Sequence, residues 1–179
     1  MRSIFLSLAL VIACSGATSA DDDVDGGFVA AKGKRFFAEV ARTPAEHAMG
    51  LMYRTRLKSD RCMFFAYDQD GYHSIWMKNC YISLDVVWIN RDGVVVEIVE
   101  DAPPCSPLAG DNCPSYGGSV LSSHFIEFPA GTIKRIGLKI GDQVSWDIKF
   151  SNGGQSKGGP PVNDAPPARR TNRTKSGAK

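Results

Sequence analysis

The stretch Trp76-Met77-Lys78-Asn79, followed closely by Asp85, sets an aromatic ring, a cation, an amide and a carboxylate among apolar residues. Polar groups in such a setting must find partners or serve a ligand, because burying one alone costs a few kcal/mol. Two uses of the cluster follow. In the first, Lys78 pairs with Asp85 and ties two strand ends together, a purely structural polar cluster with no ligand. In the second, Arg54, Trp76, Lys78, Asn79 and Asp85 surround a pocket for an anionic or glycan-like ligand. The indole offers a stacking surface and the cations offer directional donors.

Catalysis asks for more. Asp85 with Glu46 or Asp142 would make a carboxylate pair for glycosidic cleavage only at a separation of roughly 5–10 Å. No phosphate loop or H-E-x-x-H occurs in the chain, and no Ser-x-His set is read as nucleophilic. No catalytic residue is assigned, and a small cell-envelope hydrolase acting on glycan stands as the alternative reading. His47, His73 and His124 are scattered, and Met49, Met52, Met63 and Met77 would form a soft Cu(I) site only by converging. The methionines read better as core filler, so neither metal nor cofactor is expected.

The elements that must position these groups are mostly strands. Lys34 to Ala41 is aromatic and β-branched with rough alternation. Thr43-Pro44-Ala45-Glu46 then starts a short helix, with Thr43 as cap, Pro44 in the first turn and Glu46 reaching back to the cap. Arg61 to Tyr67 and His73 to Asn79 read as a hairpin around Gly71. Ser83 to Asn90 and Val94 to Val99 read as a second one around Arg91-Asp92-Gly93. Glu100 to Gly118 is a long loop, and His124 to Phe128 and Gln143 to Phe150 are further strands. The pattern predicts a mainly β fold: a compact sandwich or small barrel of antiparallel strands with one short N-terminal helix.

Of five cysteines, four follow Cys14. Cys105 and Cys113 bracket a Pro/Gly loop and are expected to close a disulfide. In the loop-entropy picture such a bond is worth about 2–3 kcal/mol. Cys62 and Cys80 lie symmetrically about Gly71. They are either a cross-strand disulfide or two buried thiols acting as small hydrophobes. No C-x-x-C motif marks a redox pair.

The two ends differ from the core. Residues 1–20 have a charged start, a short apolar run and a small-residue exit, the pattern of a secretory signal. Cleavage before Asp21 would give a soluble exported protein, periplasmic or extracellular. Val11-Ile12-Ala13-Cys14 also resembles a lipobox, which would leave Cys14 lipidated as a membrane tether. Residues 21–33 read as a flexible mature N-terminus, 34–150 as the single domain, and 151–179 as a disordered Gly, Pro and basic tail. The net charge of +2 comes from the ends, since residues 26–150 carry fourteen charges of each sign. A neutral core argues against nucleic-acid binding, and a monomer is expected.

Gly50-Leu51-Met52-Tyr53-Arg54, Met63-Phe64-Phe65, Trp76-Met77-Lys78-Asn79, Leu84-Asp85-Val86-Val87 and Gly137-Leu138-Lys139-Ile140-Gly141-Asp142 resemble, in order, the bacterial and archaeal domain-of-unknown-function family 192. The resemblance runs from about Phe37 to Ser145. It implies a compact, strand-rich, often exported domain with no established activity. Members commonly carry a cysteine before a Cys-Pro-x-Tyr segment, as Cys105 and Cys113-Pro114-Ser115-Tyr116 do here. Three positions depart from the family pattern: Cys62 stands for a usual Gly, Cys80 for Thr and Ser83 for Pro. The joint cysteine departures favour a Cys62–Cys80 contact. Taken together, the expectation is a non-catalytic binding or interaction module for an unknown small ligand or cell-envelope glycan.

Overall fold

The computed structural model describes residues 25–160, so residues 1–24, with the expected leader and Cys14, and residues 161–179 lie outside the described residues. The chain is mainly β. Its strands are β1 (Gly26–Ala31), β2 (Lys34–Ala41), β3 (Arg61–Gly71), β4 (Ile75–Trp76), β5 (Leu84–Ile89), β6 (Val95–Ala102), β7 (Ser115–Tyr116), β8 (Ser122–Pro129), β9 (Val144–Lys149) and β10 (Gln155–Gly158). Among the described residues two short α-helices, α1 (Pro44–Met49) and α2 (Thr132–Ile136), accompany them. Eight strands form one sheet in the order β10-β9-β1-β2-β3-β8-β5-β6, and β4 pairs with β7 apart from it. The sheet curls into a half-barrel. Backbone bonds from Val95 to Asp142 (2.9 Å) and from Val144 to Gly93 (2.8 Å) stitch its β6 edge to the approach of β9.

Alternation along the strands sorts the core into two faces. Inside the curl lie Phe36, Cys62, Phe64, Val87, Ile126, Phe128 and Trp146. On the outer face lie Leu51, Met63, Phe65, Met77, Cys80, Val86, Trp88 and Phe125. The segments carrying Leu51, β4 and Cys105 cover that outer face, so β5 is buried at every position and β3 along most of its first half. Strands covered on both sides read as continuous apolar runs, which is how these look in the sequence.

Local signals are borne out. β2 spans the expected residues, and the Thr43–Glu46 capping box is complete in both directions. The β5–β6 turn is held by the Asn90 side chain, which accepts from the backbone of Asp92 (3.1 Å) and Val94 (2.8 Å). The Cys105–Cys113 disulfide is present.

Long-range pairing departs from expectation. The hairpin about Gly71 does not form, because both edges of β3 are already occupied. β2 pairs with it in parallel (Ala38 opposite Cys62) and β8 antiparallel (Met63 opposite Glu127). The sheet is therefore mixed, and the chain after Gly71 crosses over the outer face, where Ile75 pairs with Tyr116. Cys62 and Cys80 end on opposite faces as free, buried thiols, and no bond joins them.

The expected flexible start also contains structure. Gly26–Ala31 is a strand pairing with both β2 and β9. Gly27 is there for space, since a Cβ would lie 2.0 Å from the Asp147 carbonyl oxygen. At the other end, Gln155–Gly158 adds an edge strand to β9.

Candidate ligand-binding face

Met77 anchors the cluster. Its side chain is sealed, and its carbonyl accepts from the backbone N–H groups of Cys80 and Cys105, both at 3.2 Å. The neighbours on either side of it point outward. Trp76 is half-exposed, with the Lys78 ammonium 5.1 Å from its ring centroid, a cation–π contact. Lys78 is also bonded to the exposed carboxylate of Asp111, which lies in the loop closed by Cys105–Cys113. That contact holds the Asp111 carboxyl below its usual range. A groove of about 420 Å³ runs between Lys78, Asn79, Tyr81, Asp111 and the disulfide.

Asn79 and Tyr53 form a clasp beside it. Both lie in the left-handed backbone region, with φ of 56° and 64°. That conformation is unusual for a bulky Tyr and must be held by its surroundings. The holding bonds are reciprocal: the Tyr53 N–H donates to the Asn79 carbonyl (2.8 Å), and the Asn79 amide donates to the Tyr53 hydroxyl (3.0 Å). Tyr81 meets Tyr53 edge to face, ring centroids 6.1 Å apart, and both rings are more than half exposed. Tyr53, Trp76 and Tyr81 thus present exposed ring surface around fixed polar groups.

Two expected members of the site belong elsewhere. Asp85 is only 1% exposed and makes no pair with Lys78. One of its oxygens accepts from the Asp101 N–H (2.9 Å) and the other from the Ile133 N–H (2.8 Å), so it caps α2 from a neighbouring strand. Arg54 is drawn to Glu39 at 2.6 Å. The other acids considered for a catalytic pair are also engaged locally. Glu46 is held low by the backbone N–H groups of its own cap, and Asp142 by Lys32 and the Lys139 N–H.

The histidines and methionines are used separately. His47 Nε2 lies 3.0 Å from the carbonyls of Ala41 and Ala66, and so donates to backbone. His124 Nδ1 accepts from the Tyr67 N–H at 3.3 Å, and burial pushes its pKa down to about 4. Met63 and Met77 fill core, whereas Met49 is largely exposed and Met52 takes a weak bond from the Asn79 amide.

Behind Trp76 lies a smaller cavity of about 90 Å³, walled by Leu51, Met52, Phe65, Tyr67, Trp76 and Cys80. Glu127 forms part of its wall. It is 6% exposed, its Oε2 has no hydrogen-bond partner among the described residues, and burial pushes its pKa up to about 8. Desolvation and the Glu127 charge also raise the Cys80 thiol, to about 11, and the Tyr67 hydroxyl, to about 12. Sequence reasoning missed Glu127, Tyr53 and Tyr81. The signal for Glu127 was a lone acid inside the apolar strand Phe125-Ile126-Glu127-Phe128.

Residues 28–146 match the model of family DUF192, described as "Uncharacterized ACR, COG1430". No curated protein matches the chain. Two crystal structures are similar to it. One, from Sinorhizobium meliloti 1021, is provisionally designated a transcription regulator. It is 30% identical with a TM-score of 0.59, over 68% of this chain and 92% of that one. The other, a protein of unknown function from Novosphingobium aromaticivorans DSM 12444, is 31% identical with a TM-score of 0.60. It covers 69% of this chain and 84% of that one.

Proposed function

This chain belongs to the DUF192 family, and we propose that it is an exported, non-catalytic binding module for a glycan-like ligand of the cell envelope. The observation that carries this reading is the strained Tyr53–Asn79 clasp, which holds exposed rings and polar groups in one place. A sugar ring has an apolar C–H face to lay on an aromatic ring and hydroxyls to bond an amide, an ammonium and a carboxylate. Trp76, Tyr53 and Tyr81 supply the first, and Asn79, Lys78 and Asp111 supply the second.

A glycan is favoured over a simple anion because Lys78 and Arg54 already have carboxylate partners. Binding a lone anion there would break an existing pair. Hydrolysis is disfavoured by the sealing of Asp85, the acid that every expected carboxylate pair required. Export accords with the leader-like residues 1–20 and with a disulfide, which persists in oxidising compartments. The regulator designation of the Sinorhizobium protein is not extended to this chain. Its residues 26–150 balance fourteen cations with fourteen anions, leaving no net attraction to a polyanion.

Co-sedimentation of the mature protein with insoluble peptidoglycan tests the reading. The wild-type protein is expected to pellet with the glycan. Tyr81→Ala is expected to weaken retention by about tenfold, which is about 1.4 kcal/mol, in line with loss of one aromatic contact. Equal retention of wild type and Tyr81→Ala, or none for either, would refute it.

A further inference from the structure

We propose that the cavity behind Trp76 is a receptor for a primary ammonium group, the end of an aliphatic amine or of a lysine side chain, with Glu127 as its counter-charge. The argument begins with the carboxyl. Glu127 is 94% removed from solvent on a strand that contributes Phe125 to the same face, and its Oε2 has no donor among the described residues. A buried polar atom in that state is costly unless something arrives to satisfy it.

The basic side chains on this side of the molecule are directed elsewhere. Lys78 is bonded to Asp111, Arg54 to Glu39, and His47 donates to two backbone carbonyls. The rest of the wall suits a positive charge. Phe65, Tyr67 and Trp76 offer ring surface, and Met52 offers a polarisable sulfur. An anion would meet an acid and a thiol in the same wall, and an alcohol would satisfy one bond without supplying charge. An ammonium supplies three donors and the charge together.

Size limits the guest. A cavity of about 90 Å³ has room for at least three water-sized groups, enough for an ammonium and two methylenes. The entry side is set by the wall itself, since Met49 and Trp76 belong to it and both are substantially exposed. The titratable groups around the space are His47, Tyr67, Cys80 and Glu127.

The proton balance gives the proposal a signature. With a pKa of about 8, the Glu127 carboxyl is mostly protonated at pH 7, and about 0.9 of a proton must leave it when a cation takes its place. The incoming amine keeps its own protons, and the one released goes to buffer.

Calorimetric titration of the mature protein at pH 7 in two buffers of different ionisation enthalpy tests this. n-Propylamine is expected to bind and to release about 0.9 of a proton per molecule, from the same pKa of about 8. n-Propanol at the same concentration is expected to give no saturable heat. Glu127→Gln, which keeps shape and removes the charge, is expected to weaken the amine at least thirtyfold and abolish the proton release. N-acetyl-lysine-methylamide separates the two sources: if it binds as well, the guest is a side chain, and if only the free amine binds, the guest is a small amine. No saturable amine binding, equal binding of propanol, or an unaffected Glu127→Gln would overturn the proposal. Peptidoglycan co-sedimentation of the same samples keeps a failure here separate from a failure of the glycan reading.

Discussion

Replacing Asp85 with alanine is expected to lower folding stability by about 3–5 kcal/mol, because two charge-assisted bonds are lost inside the protein at once. One oxygen holds the N–H of Asp101, a non-glycine residue with φ of 51°, and the other holds the N–H of Ile133 in the first turn of α2. Gly131, the cap residue of that helix, has no side chain to do the work. Water cannot substitute, since Asp85 is 1% exposed. Asp85→Asn keeps one acceptor but turns its amide N–H₂ against a backbone N–H, so most of the loss is expected to persist. Urea unfolding of both variants measures the change. A loss below about 1 kcal/mol would show that neither bond matters to the fold, since a single ordinary hydrogen bond is worth about that much.

The second large effect is on pH dependence. Burial raises the Glu127 carboxyl from its ordinary 4.5 to about 8, so between those values the folded state holds a proton that the unfolded state has lost. Its contribution to stability is complete below pH 4.5 and falls by about 1.4 kcal/mol per unit as pH rises toward 8. His124 works in the opposite sense. Burial and Arg91 depress it from 6.5 to about 4, so its contribution is present above pH 6.5 and lost as pH falls. His73 is lowered as well, chiefly by burial. Between pH 5 and 6.5 the histidine slopes oppose that of Glu127, so its downward trend is not expected to show there. Above about pH 7.5 His124 and His73 are neutral in both states, and Glu127 sets the slope. Tyr67 and Cys80 titrate too high to contribute. Glu127→Gln is expected to gain stability relative to wild type by about 1.4 kcal/mol for each unit from pH 5 to 8. A difference that stays constant across this range would mean that Glu127 is already ionised and paired.

What the sequence revealed and what it hid divide along distance. The Thr43–Glu46 cap, the Asn90 turn and the Cys105–Cys113 ring each close over a few residues, and their chemistry is written in adjacent letters. The strand β1 was concealed by Gly26-Gly27, which looks like a linker yet lets β9 approach closely. The false hairpin about Gly71 had sound turn chemistry. It failed because β2 and β8, far away in sequence, claim both edges of β3.

The same limit shaped the site. Trp76, Lys78 and Asn79 were legible because they are contiguous. Their partners were not: Lys78 chose Asp111 over Asp85, and Asn79 chose Tyr53. Selecting among carboxylates requires knowing which ones the sheet seals, and that follows from register alone.

The central claim is that Trp76 and its neighbours contact a glycan, and tryptophan emission tests it directly. Of the three tryptophans, Trp88 is 0% and Trp146 is 3% exposed, whereas Trp76 is 44% exposed. Titration with the soluble tetramer of N-acetylglucosamine is therefore expected to shift emission to shorter wavelength in a saturable way, and Trp76→Phe is expected to erase that response. Unchanged emission in the wild-type protein, or the same shift in Trp76→Phe, would contradict the account.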